Sequence, residues 1–304
     1  MTAALPQPLR FQVGARTLLA VRRRLVRIGL SLGDALGDKA VILPPLAPGD
    51  HGYLVTSLPV SRRDAVEAQM PGALPLERQR YARRYADLSA SFDDYMATFS
   101  GKSRSTLRRK VRKFEKLSGG MLDLRCYRTL GEMSEFYDLA RQVSEKTYQE
   151  RLLDAGLPDG ADAQAEMRRL AGRDELRAWL LFVDGEPVSY LYAPADGDTL
   201  IYAYLGYDPA FAKYSPGAVL QIEAMRQVIE EGRFRRFDFT EGDGQHKRQF
   251  ATGSVDCVDL LLLKPTFGHR ALIASLKGFD GSMALAKRGV KALRLERVAK
   301  TIRR

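Results

Sequence analysis

The chain has 304 residues, of which 45% are apolar and 28% charged, and its net charge is +11. That length holds one large or two ordinary domains, and the composition excludes a disordered chain. Its two cysteines, Cys126 and Cys257, form no C-x-x-C pair, so neither a disulfide framework nor a zinc site is expected.

No uncharged apolar run reaches the ~18–20 residues of a membrane span. Leu18 to Leu30 is broken by arginines, so a signal peptide is not expected either and a cytoplasmic setting is. The basic excess favours anionic partners and says nothing of the fold. Residues 1 to about 12 read as a loose terminus, and Thr17 to Ile28 fits a basic helix or a strand equally. Val41 to Leu46 and Tyr53 to Leu58 read as short strands among turn residues, followed by an extended run from Arg80 to Leu88. Residues 1–90 thus make a small first domain.

Ser91 opens a helix with Asp93 and Asp94 in its first turn, where negative charge suits the helix dipole. From Gly101 to Leu117, Leu107, Val111, Phe114 and Leu117 recur at helical spacing, and the remaining circumference is almost wholly basic. Residues 91–120 are expected to be a helix linking two domains, or a contact surface for a polyanion. Without interleaved aromatics or a recognition-helix pattern, sequence-specific DNA binding is not expected.

Residues 121–268 then read as a second domain. Met121 to Tyr127 is a strand, and Glu132 to Arg151 and Asp162 to Leu170 are helices. Ala178 to Val183, Pro187 to Tyr192 and Thr199 to Leu205 are separated by two Asp-Gly pairs, Asp184-Gly185 and Asp196-Gly197, which predicts a three-stranded antiparallel meander. Within it Tyr190 and Tyr192 share one face, as do Tyr202 and Tyr204. Next comes Tyr214-Ser215-Pro216-Gly217-Ala218-Val219-Leu220, with Ser215 as N-cap and Pro216 as the first residue of a helix reaching Glu231. Gly217 lets a ligand approach the first-turn amides, so this turn is either an ordinary capped helix or a phosphate site. Phe234 to Phe239 is a strand, and a polar turn follows with Glu241, Asp243, His246 and Lys247. Val255 to Leu263 is the last strand. Residues 269–304 read as a basic helical tail, either exposed or resting on a membrane surface.

The order of elements after residue 120 resembles the GNAT acyltransferase fold. Tyr85-Ala86-Asp87-Leu88-Ser89, the basic helix from Ser103 to Lys116, Ser215 to Leu220, and Phe237-Asp238-Phe239 with Lys247 are similar to the FemAB-related, CelD-type branch. That branch is associated with cellulose and exopolysaccharide production. The resemblance implies an α+β fold, a mostly antiparallel sheet flanked by helices, with two GNAT-like halves of which the first is degenerate. It also implies an acyl-CoA donor, acetyl-CoA or another, whose pyrophosphate rests on the turn at Ser215 to Ala218. The superfamily loop is Gln/Arg-x-x-Gly-x-Gly/Ala. Aligning Gly217 with its last glycine puts Ser215 at the other and Ala212 at the basic position, so Lys213 next door would supply the charge. A carrier protein or a charged tRNA could present its donor group to the same surface.

Acyl transfer from a thioester to an amine needs a base, a stabilised oxyanion and a leaving thiolate. The resemblance puts the oxyanion donor near Ala203 to Leu205 and so joins Tyr204 and Leu205 to the donor-binding residues Lys213, Ser215, Gly217 and Ala218. For the base, Asp238 leads, with Glu241, Asp243 and His246 beside it, and Lys247 would bind an anionic acceptor. Tyr148 and Gln149 would line the acceptor pocket. No metal is called for. The activity expected is N-acyl transfer to an amino sugar or polysaccharide precursor of the cell envelope. The alternatives are a tRNA-dependent aminoacyltransferase, or a non-catalytic accessory protein of a polysaccharide synthase held at the inner membrane by its basic helices.

Overall fold

A computed structural model describes residues 4–13, 16–147, 156–242 and 244–302. The expected pocket residues Tyr148 and Gln149, and the candidate base Asp243, lie outside the described residues.

The fold is mixed α/β, with mostly antiparallel strands flanked by helices. It divides into two units that interleave along the chain, whereas the sequence reading drew consecutive segments. The first comprises residues 1–30, 37–80 and 257–304, and the second 31–36 and 81–256.

In the first unit, β1 (Leu5–Val13) pairs antiparallel with β2 (Arg16–Gly29), β2 runs parallel to β3 (Gly52–Pro59), and β3 is antiparallel to β11 (Gly253–Leu263) from Cys257 onward. The ambiguous stretch at Thr17 to Ile28 is therefore a strand. Alternate residues of β11 serve two cores: Leu261 and Leu263 join Leu9, Phe11 and Leu25, and Leu260 and Leu262 join Val26, Val55 and Leu58. This is the period-two geometry of a strand buried on both faces. Val41 to Leu46 is not a strand; Pro44 and Pro45 lack the amide hydrogens a ladder needs. After the short helix α2 (Arg63–Glu67), this unit's next helix is the C-terminal α9 (Phe267–Ile302), which covers the expected tail, though its early residues Leu272, Ile273 and Leu276 are core rather than tail.

The second unit carries the strand order β4-β10-β8-β7-β6-β5, with β9 also on β7. The strands are β4 (Leu74–Asp87), β5 (Asp123–Tyr127), β6 (Leu176–Val183), β7 (Glu186–Asp196), β8 (Thr199–Ile201), β9 (Tyr204–Tyr207) and β10 (Arg236–Asp238). Asp184 and Gly185 both take positive φ, 51° and 80°, as the two-residue β6–β7 hairpin requires.

The third strand of the expected meander is in fact two. β8 follows β7 for two residues and lies parallel to β10, whereas β9 returns to β7 through Tyr204 to Tyr207. Between them the Tyr202 amide donates to Asp238 O (2.8 Å) and the Ala203 amide to Tyr192 O (3.3 Å). The chain thus changes partner at this point and the ladder splits. Tyr202 and Tyr204 consequently do not share a face: Tyr202 packs on the core under α7 and Tyr204 on the core under α5.

Among the helices of this unit, α1 (Leu32–Leu36) is a single short turn, and α3 (Phe92–Ala97), α4 (Gly101–Leu117), α5 (Met133–Ser144) and α6 (Ala161–Ala171) fall close to their expected positions. In α4, Leu107 and Phe114 are buried, and Val111 and Leu117 pack beside them. The helix α7 (Pro216–Glu231) buries Val219, Ile222, Met225, Val228 and Ile229 and stops at Gly232, whose φ is 67°. The buried Arg177 of β6 ties down its far end through Glu231, with Asp174 as a second partner at 2.7 Å. Half of the expected polar turn is a helix, α8 (Gln245–Phe250), anchored by the buried Phe250.

Candidate active site

A cleft of about 510 Å³ opens where β9, the start of α7 and α8 meet. Its lining includes Lys110 of α4, Tyr202 and Leu205, Ser215, Gly217, Ala218 and Gln221 of α7, and His246 of α8. Of the residues proposed from sequence, it brings together Leu205, Ser215, Gly217, Ala218 and His246. Tyr204, Lys213, Asp238, Glu241 and Lys247 stand outside its lining.

Ser215 occupies the N-cap position in the left-handed region (φ 58°, ψ 49°), and its side chain makes no capping bond. A non-glycine residue held there costs free energy that the surroundings must supply. The amides of Ala218 and Val219 both donate to Ser215 O, at 3.0 and 3.2 Å, and Pro216 has no amide hydrogen. The helix start is therefore less bare than the sequence suggested: Gly217 N is the first-turn donor not spent within the helix. At Gly217 a Cβ would come within 3.0 Å of Leu205 Cδ2 and 3.4 Å of Tyr207 Cδ1, so any larger residue would press on these two side chains of β9.

Cations surround this turn from two elements. Lys113 of α4 donates to Lys213 O at 3.0 Å and lies 4.8 Å from the centre of the Tyr214 ring, while Lys213 lies over the same ring at 5.0 Å. Such cation–π contacts fix where the charges sit. With Lys110 in the cleft wall, the helix read as a linker contributes to the site.

Asp238 is fully buried at the end of β10. Arg83 of β4, 8% exposed, grips it through Nη2 to Oδ2 at 2.5 Å and Nε to both oxygens at 3.2–3.3 Å. Its Oδ1 also accepts from the Thr240 amide at 2.8 Å, holding a turn in which Thr240 has φ 61° and Gly242 φ 92°. The carboxylate is thus engaged by Arg83 and by its own turn. Arg83 carried no sequence signal, because nothing local marks a partner 155 residues away.

His246 lies at the cleft mouth, its ring 5.6 Å from that of Tyr202. Partial burial, helped by the neighbouring charge of Lys247, lowers its pKa from the ordinary histidine value. The imidazole is therefore neutral at physiological pH and able to accept a proton. Burial, assisted by Tyr190, raises the Tyr202 pKa far above the usual phenol range. Lys247 turns back on its own loop, donating to Glu241 O and, at 3.3 Å, to Thr240 Oγ1; burial lowers its pKa. Among the described residues, no three His, Cys, Asp or Glu gather as a metal-binding group, and no helix is long and apolar enough to cross a membrane.

Residues 101–248 match the family model described as the acetyltransferase (GNAT) domain. No curated protein matches the sequence. Among solved structures, the C-terminal domain (DUF2156) of an Agrobacterium fabrum protein assigned as a lysylphosphatidylglycerol synthetase is 12% identical with a TM-score of 0.51. The match covers 74% of this chain and 71% of that one, a likeness of fold alone. A conserved protein of unknown function from Bacteroides thetaiotaomicron (15% identity, TM-score 0.49, covering 71% and 70%) and FemX (11%, 0.48, covering 70% and 72%) are similar at a lower level. The matched residues fall within the second unit and hold every residue named in the cleft. The fold is GNAT-like, and the match to the GNAT acetyltransferase model covers residues 101–248, just under half of the chain.

Proposed function

We propose that the protein is an N-acyltransferase that moves an acyl group, acetyl or longer, from coenzyme A to an amine. The observation that carries this reading is the shared cleft: the glycine-bearing start of α7, with cations from α4 and from its own turn nearby, opens into the same space as a neutral histidine. In the reaction the amine nitrogen attacks the thioester carbonyl, a C–N bond forms and the C–S bond breaks. His246 takes the amine proton. Tyr202, held as a phenol by burial, supplies a proton to the departing thiolate. Ser215, Gly217 and Ala218, with Lys213 and Lys110 nearby, receive the donor's phosphates, and Tyr204 and Leu205 border its acyl arm. Asp238 positions the loop before α8 through Arg83 and Thr240, and Glu241 and Lys247 brace that loop. Tyr148 and Gln149 belong to the acceptor side in this proposal, and the acceptor class is an amino sugar or polysaccharide precursor of the cell envelope.

A thermal-shift series with acetyl-CoA, longer acyl-CoAs and CoA tests the donor, because a ligand bound only by the native state raises the melting temperature. Absence of any shift, with no transfer of radiolabelled acetyl to amino sugars, overturns the reading. A second reading, an aminoacyl-tRNA donor, draws on the net charge and on the basic face of α4. It requires RNA binding that weakens steeply with salt.

A further inference from the structure

Gln221 is the polar side chain on the floor of the cleft, on α7 one turn beyond Gly217 and so on the same face. It is 2% exposed, and neither Oε1 nor Nε2 has a hydrogen-bond partner among the described residues. The position stands out within its helix, since Val219, Leu220, Ile222, Ala224 and Met225 around it are apolar and buried. A buried amide with both its acceptor and its donors unmet is costly, and a leucine there would avoid the cost. Its retention beside an open cleft points to a ligand that supplies both partners.

The chemistry of that ligand follows from what Gln221 lacks. A carboxylate or phosphate would satisfy the NH2 group and leave Oε1 facing negative charge. An ammonium would do the reverse. A neutral group that both donates and accepts, such as a secondary amide, meets both needs at once. The floor lies one helical turn beyond the phosphate-receiving turn, so the amide must sit on an arm reaching inward from a phosphate.

We infer that Gln221 recognises a secondary amide of a phosphopantetheine arm, and thereby selects a phosphopantetheine thioester as donor over an aminoacyl ester of RNA. This rests on the donor reading above and narrows it. A terminal adenine also offers a donor beside an acceptor, so the experiment separates the two.

Binding of CoA, 4′-phosphopantetheine and 3′,5′-ADP to the full chain and to Gln221→Leu is measured by calorimetry, alongside the melting temperature of each unliganded protein. The inference expects Gln221→Leu to bind CoA and phosphopantetheine about tenfold or more weakly and 3′,5′-ADP unchanged. It also expects the unliganded variant to melt at a higher temperature than the natural protein. Unchanged phosphopantetheine affinity, a loss confined to 3′,5′-ADP, or a lower melting temperature overturns the assignment of Gln221 while leaving the CoA reading standing. If the natural protein binds neither CoA nor phosphopantetheine, both fall together.

Discussion

Replacing Asp238 by alanine separates a positioning carboxylate from a catalytic one. In the natural protein the carboxylate and the Arg83 guanidinium are both withdrawn from water, with three contacts between 2.5 and 3.3 Å. Asp238→Ala takes this carboxylate away from a buried guanidinium, and breaking such a buried pair costs about 3–5 kcal/mol. The Thr240 amide loses its acceptor as well, which adds about 1 kcal/mol. At roughly 2–4 °C per kcal/mol, the combined loss should lower the melting temperature by roughly 8–24 °C. Pairing the change with Arg83→Met removes the buried guanidinium as well and should recover a large part of the loss. The assay is urea or thermal unfolding of the single and double variants, with turnover measured on each. An Asp238→Ala protein that melts normally refutes the reasoning. So does an Asp238→Asn protein of natural stability with no turnover, since that result would make Asp238 the base.

Because burial and the charge of Lys247 lower the His246 pKa, its base form is present at neutral pH. kcat/KM should lose activity on the acid side only as pH falls through a value below 6.5, an inflection that His246→Gln should abolish; the same shift favours the folded state above the unfolded pKa, and that contribution disappears as pH falls through the lowered folded value. At Gly244 a Cβ would lie 2.8 Å from His246 Cε1 and 3.0 Å from Nδ1, so Gly244→Ala should displace the imidazole and reduce kcat about tenfold or more while calorimetry finds CoA affinity unchanged. Lys110→Gln should weaken CoA binding about two- to fivefold at low salt, as expected for one half-buried, still solvated charge, and titrations in rising salt should show the difference shrinking.

The parts of the fold that were legible from sequence are those with a local cause. Asp184-Gly185 specified its hairpin because two consecutive positive-φ residues are needed there, and Pro216 with Gly232 marked both ends of α7. The spacing of Leu107, Val111, Phe114 and Leu117 correctly gave the buried face of α4. What was not legible depends on partners distant in the chain. Nothing in Thr199 to Leu205 says that the strand leaves β10 for β7 after Ile201, since each half is extended and apolar. That exchange sends Tyr202 and Tyr204 to opposite cores. Asp238 was expected to lead as the base, and its engagement by Arg83 has no local signal because the two are 155 residues apart; Gln221 has no local signal either. Its significance lies in the absence of a partner, which only the packed arrangement reveals.

The turn proposed to receive phosphate departs from the superfamily pattern at the basic position, where Ala212 stands, and α4 offers a way to restore the charge in space. Lys113 reaches the carbonyl of Lys213 and Lys110 lines the cleft, so two cations arrive from a helix rather than from the loop. A charge on a helix anchored by Leu107 and Phe114 is held more firmly than one on a loop side chain, because the buried face fixes its direction. It also frees the loop from carrying a long side chain at Ala212, which shares the cleft wall with Ser215 and Gly217. A surface-bound linker would place its cations evenly toward solvent. Under the proposed function, Lys113 at the turn before α7 and Lys110 in the cleft wall give the basic helix a part in holding the donor, with its apolar stripe as the element that aims them.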